Sequence, residues 1–158
     1  MWHKLLCAVL FTLVNNAWAS DEVLVDKAWL RESVAGQESA SLQLKLTVTK
    51  PAKLIGVSSP WAAAVEIQQL LPNRGKMQSR AVTSLRLSRN RALAFGEHSF
   101  ALMMLGLKQP LKVGDQVPVS LTVEFSGKQV RTVEVEAEVK ALELSYMHYG
   151  GQEVHDHQ

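Results

Sequence analysis

The side chains in this 158-residue chain best suited to chemistry are soft and few. Met77, Met103 and Met104 fall in the middle of the chain with a single histidine, His98. A second group closes it: His148, His155 and His157 lie in the last 11 residues, next to Met147. Thioether sulfur favours Cu(I), whereas imidazole also accepts Cu(II), Zn(II) or Ni(II). His155-Asp156-His157 can offer two imidazoles and a carboxylate to one ion, and short histidine-bearing tracts bind such metals. Each of these residues also has a plainer reading. Methionine is a good filler of core gaps, His98 fits a surface turn, and the tail can be an incidental polar end. Alternation along a strand sets Met104 on the face opposite Met103.

Other chemistry finds little support. The one cysteine, Cys7, sits in the apolar run near the start of the chain. A chain processed beyond that point has no thiolate nucleophile, no thiolate zinc site and no cysteine for a blue-copper centre. A triad would have to use His98, and neither a paired-acid signature nor a phosphate-cradling glycine loop is present. An enzyme is not expected.

The N-terminus reads as a signal peptide. Lys4 precedes an uncharged apolar run, Leu5 to Val14, and Ala17-Trp18-Ala19 supplies small residues for cleavage after Ala19. The run is about half of the roughly 20 residues a bilayer requires. Export to the periplasm follows as an expectation, with no membrane span after cleavage and with segments 1–19 (signal peptide), 20–145 (one domain) and 146–158 (a flexible histidine-containing tail). Of the 17 Lys and Arg residues only Lys4 is removed, leaving 16 against 15 acidic residues, a charge of +1. So even a balance makes no case for nucleic acid or an anionic membrane as partner. The mature chain, without disulfides in an oxidising compartment, must rely on its core.

The elements that position these side chains are strands. Leu42, Leu44, Leu46 and Val48 alternate with polar residues, as do Val117, Val119, Leu121, Val123 and Phe125, and then Val133, Val135, Ala137 and Val139. Glu134, Glu136 and Glu138 form the solvated face of that last strand and discourage edge pairing. Val65 and Ile67 point one way from a further strand, Glu66 and Gln68 the other. Phe100 to Leu107 is nearly continuous in apolar residues and predicts a strand buried on both faces. Turns are expected at Pro72 to Gly75, Lys112 to Asp115 and Ser126 to Lys128. A single helical turn is conceivable at Trp61 to Ala64. Short strands spaced by turns define an all-β fold, a Greek-key sandwich or barrel.

Gly56-Val57-Ser58-Ser59-Pro60, Val65-Glu66-Ile67 and the run from Met103-Met104-Leu105-Gly106-Leu107-Lys108 through Pro110-Leu111, Gly114-Asp115 and Val117-Pro118-Val119 resemble the PCuAC family of periplasmic copper chaperones. The resemblance extends from about Val25 to Val139 and implies a cupredoxin-like β-barrel. The family's copper motif is a histidine, ten residues, a methionine, 21 residues, a histidine, one residue and a methionine. Set on this sequence without a gap, it falls on Gln68, Ser79, Ala101 and Met103, so only the last ligand is retained. Met77 should share a face with Ser79, and His98, three residues before Ala101, reaches that face only through a turn or bulge.

The resemblance implies a periplasmic copper-binding, chaperone-like protein that has lost most core ligands. Copper, as Cu(I) or Cu(II), would be held by Met103 with Met77, His98, Met147, His148, His155 and His157. It would pass to a copper-accepting partner such as an oxidase assembly factor. The alternative is a metal-free interaction module on the same scaffold, with Trp29 or Trp61 contributing to a partner surface.

Overall fold

A computed structural model describes residues 22–96 and 98–142 of the chain. The expected signal peptide with cleavage after Ala19, and Met147, His148, His155 and His157, lie outside the described residues. Ten strands follow in order: β1 (Val23–Arg31), β2 (Ser39–Val48), β3 (Ala52–Ser58), β4 (Ala62–Asn73), β5 (Lys76–Val82), β6 (Leu85–Leu87), β7 (Leu93–Phe95), β8 (Phe100–Leu107), β9 (Gln116–Phe125) and β10 (Gln129–Lys140). Among the described residues the only helical segment is a 3-10 turn at Ser126–Lys128, which joins β9 to β10 where the hairpin loop was expected.

The strands hydrogen-bond in the order β5-β4-β8-β2-β1-β10-β9-β3-β6, with β7 on β2. β1 and β10 run parallel and the remaining pairs are antiparallel, so the ends of the domain are sewn together at its centre. β2 pairs with β8 along Ser39 to Leu42 and with β7 along Leu44 to Leu46, serving both halves of the fold. β5 and β6, the two ends of the order, are consecutive in sequence. The all-β Greek-key architecture read from the alternation is therefore present.

Alternation also sets the core. Ala40, Leu42, Leu44, Leu46 and Val48 of β2 face Val117, Val119, Leu121, Val123 and Phe125 of β9 in one buried cluster that includes Phe95, Leu102 and Met104. Each fully buried Leu, Val or Met there stabilises the fold by about 1.5–3 kcal/mol. In β8 only one face is fully enclosed: Leu102 and Met104 are completely buried, while Met103 and Leu105 on the other face are half-buried. The apolar run at Phe100–Leu107 had predicted burial on both faces. The second face is instead lined by polar neighbours from β4 and β2. Glu134, Glu136 and Glu138 lie on the exposed face of β10.

The segments that carry the family resemblance are joints of the framework. Ser59 is buried; its Oγ donates to the Pro118 carbonyl at 2.7 Å and accepts from the Trp61 N–H at 3.2 Å. This turn starts β4 at Ala62, so Trp61–Ala64 forms no helical turn: the serine hydroxyl turns the chain and the strand begins at once. Ser59→Ala leaves a buried carbonyl and N–H without that partner and should cost about 1–3 kcal/mol, read as a lower urea midpoint with unchanged slope. Gly106 has φ +64°, and a Cβ there would lie 2.8 Å from the Ala63 Cβ, so no other residue fits this crossing easily. Leu111 is buried and its N–H donates to Ser33 Oγ at 2.8 Å. Asp115 Oδ2 accepts the Lys112 N–H at 3.0 Å, and the Gly114 N–H donates to the Val139 carbonyl at 3.0 Å, which closes the expected turn against β10.

Trp61 packs against the core, whereas Trp29 lies half-buried on β1, its ring centre 5.2 Å from Lys140 Nζ and 6.0 Å from the Arg31 guanidinium carbon. Both tryptophans keep part of their surface exposed. No helix among the described residues is long and apolar enough to cross a membrane.

Candidate metal face

Three adjacent antiparallel strands, β5, β4 and β8, carry the four motif positions, and the register fixes their relation. Gln68 on β4 lies directly opposite Ala101 on β8 and opposite Ala81 on β5. Met103 lies opposite Glu66 on one side and Ser41 of β2 on the other. Ser79 lies opposite Leu70. Directly opposed residues share a face, as do residues two apart in one strand. Gln68, Ser79, Ala101 and Met103 therefore all project from the same face, the one turned away from Leu102 and Met104.

They are not equally close. Directly paired Cβ atoms such as those of Gln68 and Ala101 are about 5 Å apart, and diagonal pairs such as Gln68 and Ser79 about 7–8 Å. Met103 follows Ala101 by two residues, about 7 Å along the strand. Ser79 is the far corner, two strands and four residues of register from Met103. Ala101 is 7% exposed and offers little space above it as it stands.

Met77 shares this face through its pairing with Pro72 and is 61% exposed. Pro72 is six residues along β4 from Glu66, so Met77 and Met103 are separated by about 20 Å along the strand direction. His98 is exposed in the connection from β7 to β8. There the Ser99 carbonyl accepts the Leu70 N–H at 2.8 Å, and the Gly96 N–H donates to the Phe100 carbonyl at 2.8 Å. These bonds set His98 beside the Leu70–Leu71 end of β4, with Met77 on the opposite flank. The turn anticipated for His98 is present. The backbone of this connection lies at the Leu70 end of β4, away from the Glu66 that pairs with Met103.

Around Met103 the structure gathers polar groups that the sequence did not single out as neighbours. Glu66 lies directly opposite, and its Oε2 accepts a hydrogen bond from Gln68 Nε2 at 3.2 Å. Gln43 Nε2 donates to Ser41 Oγ at 3.3 Å on the β2 side. Alternation had shown that Glu66 and Gln68 share a face. Their pairing with β8 required the register. Among the described residues no three His, Cys, Asp or Glu side chains come together as a metal-binding group. Around Met103 the face presents one thioether, one carboxylate and amide and hydroxyl groups: a soft ligand beside hard ones, fewer than a tight Cu(I) site needs.

The apo PCuAC domain from PmoF1 superposes with a TM-score of 0.61 at 20% identity, covering 77% of this chain and 95% of that one. The copper-bound PCuAC domain from PmoF2 gives 0.59 at 19% identity, covering 77% and 94%. The solution structure of Cu(I)-DR1885 from Deinococcus radiodurans gives 0.56 at 25% identity, covering 80% and 83%. The chain thus has the PCuAC-type, cupredoxin-like β fold. Residues 23–139 match the family described as "Putative lipoprotein LpqE-like", and the chain belongs to this LpqE-like, PCuAC-type family. A curated relative from Leifsonia xyli subsp. xyli (strain CTCB07), described as "Putative lipoprotein Lxx21020", is 26% identical over 117 residues, 73% of this chain and 69% of the relative.

Proposed function

We propose that this is an exported, non-enzymatic copper-binding protein of the PCuAC type in which the core site is reduced to Met103 and the tail supplies further ligands. The observation that carries the reading is the register: four positions spaced as in the copper motif fall on one face of three neighbouring strands, and one of them is still methionine. Two of the similar solved structures, the PmoF2 PCuAC domain and Cu(I)-DR1885, hold copper. In this reading segment 1–19 is removed, 20–145 folds as the domain and 146–158 is the tail. Met103 provides a thioether on the metal face, while Met77 and His98 form a second, separate thioether and imidazole pair across the end of β4. Met147, His148, His155 and His157 hold Cu(II) or accept Cu(I) in transit. The copper is passed to a copper-accepting protein in the periplasm.

Titration of the chain from Ser20 to Gln158 against a form ending at Leu144, which retains all ten strands, tests this. The long form should bind Cu(II) at pH 7 and the short form should not. Both should bind Cu(I) weakly. Imidazole coordinates only when neutral and titrates near a pKa of about 6.5, so Cu(II) binding should weaken between about pH 7 and pH 5. Thermal unfolding without metal should be nearly the same in the two forms. Equal Cu(II) affinity in both would remove the tail from the account.

A further inference from the structure

The nearly neutral charge of the chain conceals a strongly one-sided segment. From Ile67 to Gly96 there is no Asp or Glu, while Arg74, Lys76, Arg80, Arg86, Arg89 and Arg91 supply six positive charges. All six are exposed, and among the described residues none is paired with a carboxylate. The fold concentrates three of them on one strand edge. β5 ends the sheet order and pairs only with β4, through seven consecutive residue pairs without a register shift. It carries Lys76 and Arg80, and Arg74 sits in the turn that leads into it. Along its outer side the backbone N–H and C=O groups have no strand partner among the described residues.

The other free edges differ. β6, at the opposite end of the order, is three residues long. β10 meets β1 only at Glu138–Lys140, and the stretch it leaves open carries Glu134 and Glu136. Of these edges, β5 is the one longer than three residues whose charges are all positive. Cations at an edge repel a second copy of the same strand, because β5 against β5 would set Lys76 and Arg80 against like charges. The same cations attract an extended segment of opposite charge, whose backbone can complete the ladder.

From this edge we infer that β5 is the docking site for an acidic, extended segment of a partner protein, added as one more antiparallel or parallel strand. Carboxylates on alternate residues face Lys76 and Arg80, which share the face opposite Met77 and Ser79. The intervening side chains of the partner then stand beside Ser79 and Met77, on the face that bears Met103. Docking itself requires no metal, so it stands or falls separately from copper binding.

The test uses the ¹⁵N-labelled chain from Ser20 to Gln158 and a ten-residue peptide that alternates glutamate with valine and threonine. Peptide binding at low salt should shift β5 amides and slow their hydrogen exchange, with little change at β10. The K76E/R80E variant, with a well-dispersed spectrum showing that it is folded, should bind about tenfold more weakly, and binding by the original chain should fade as salt screens the charges. A peptide with lysine in place of glutamate should leave β5 unchanged. Equal binding of the lysine peptide, or shifts that avoid β5, would overturn the inference. So would tight binding to phosphatidylglycerol vesicles by a chain whose β5 amides ignore the acidic peptide, since the patch would then serve a lipid surface.

Discussion

Met104→Ala should destabilise the domain by about 2–5 kcal/mol, whereas Met103→Leu, one residue away, should cost less than about 1.5 kcal/mol. Met104 is fully buried, set between Ala40 of β2 and Val65 of β4, and its removal leaves a cavity under the centre of the sheet. Met103 is half-buried on the other face, opposite Glu66 and Ser41, and leucine keeps most of its volume. The chemical effects should reverse: Met103→Leu removes the one retained motif sulfur and lowers Cu(I) binding, while Met104→Ala leaves any binding by the remaining folded protein unchanged. Urea unfolding and Cu(I) competition on both variants read the two effects. Comparable destabilisation by the two would mean that β8 is displaced by one residue, because a one-residue slip exchanges every side chain between the faces.

How far the sequence reached can be seen strand by strand. β2, β9 and β10 were legible because each has one dry and one wet face, and the alternation survives in the residues themselves. β8 was less so. Its apolar run hid the fact that Ala101 and Met103 lie beside Gln68, Glu66 and Ser41 rather than a second core layer. The turn at Trp61 was misread because Ala62-Ala63-Ala64 has no alternation to announce a strand, and the organising hydrogen bonds come from Ser59 and reach Pro118, 59 residues away. The motif positions came from the family resemblance, which could not say that Gln68 and Ala101 are directly paired while Ser79 is the distant corner. Nor could it show that Met77 and His98 flank one end of β4, or that Glu66 stands opposite Met103. Those are facts of register between strands far apart in the chain. The basic segment from Arg74 to Arg91 was present in the sequence but averaged away in the net charge, and only the sheet order shows that part of it lines a free edge.

The central claim is that this chain keeps the metal face of a PCuAC-type domain with most ligands replaced. Restoring the ligands tests it most directly. Gln68→His and Ala101→His place two imidazoles on directly opposed residues, next to Met103, and Ser79→Met adds a thioether from the far corner. The first two should supply most of the gain because they are the nearest pair. Enlarging Ala101, 7% exposed, should cost about 1–3 kcal/mol of stability, which a folded domain of this size can sustain. Ligands in a complete metal site contribute several kcal/mol each, so Cu(I) affinity should rise by about a thousandfold or more. The measurement is a competition titration of Cu(I) between a chromophoric chelator and the Q68H/S79M/A101H variant, beside the unaltered chain. The account predicts weak binding by the unaltered chain and a rise of that order in the variant. A folded variant that binds Cu(I) no better than the unaltered chain would contradict it.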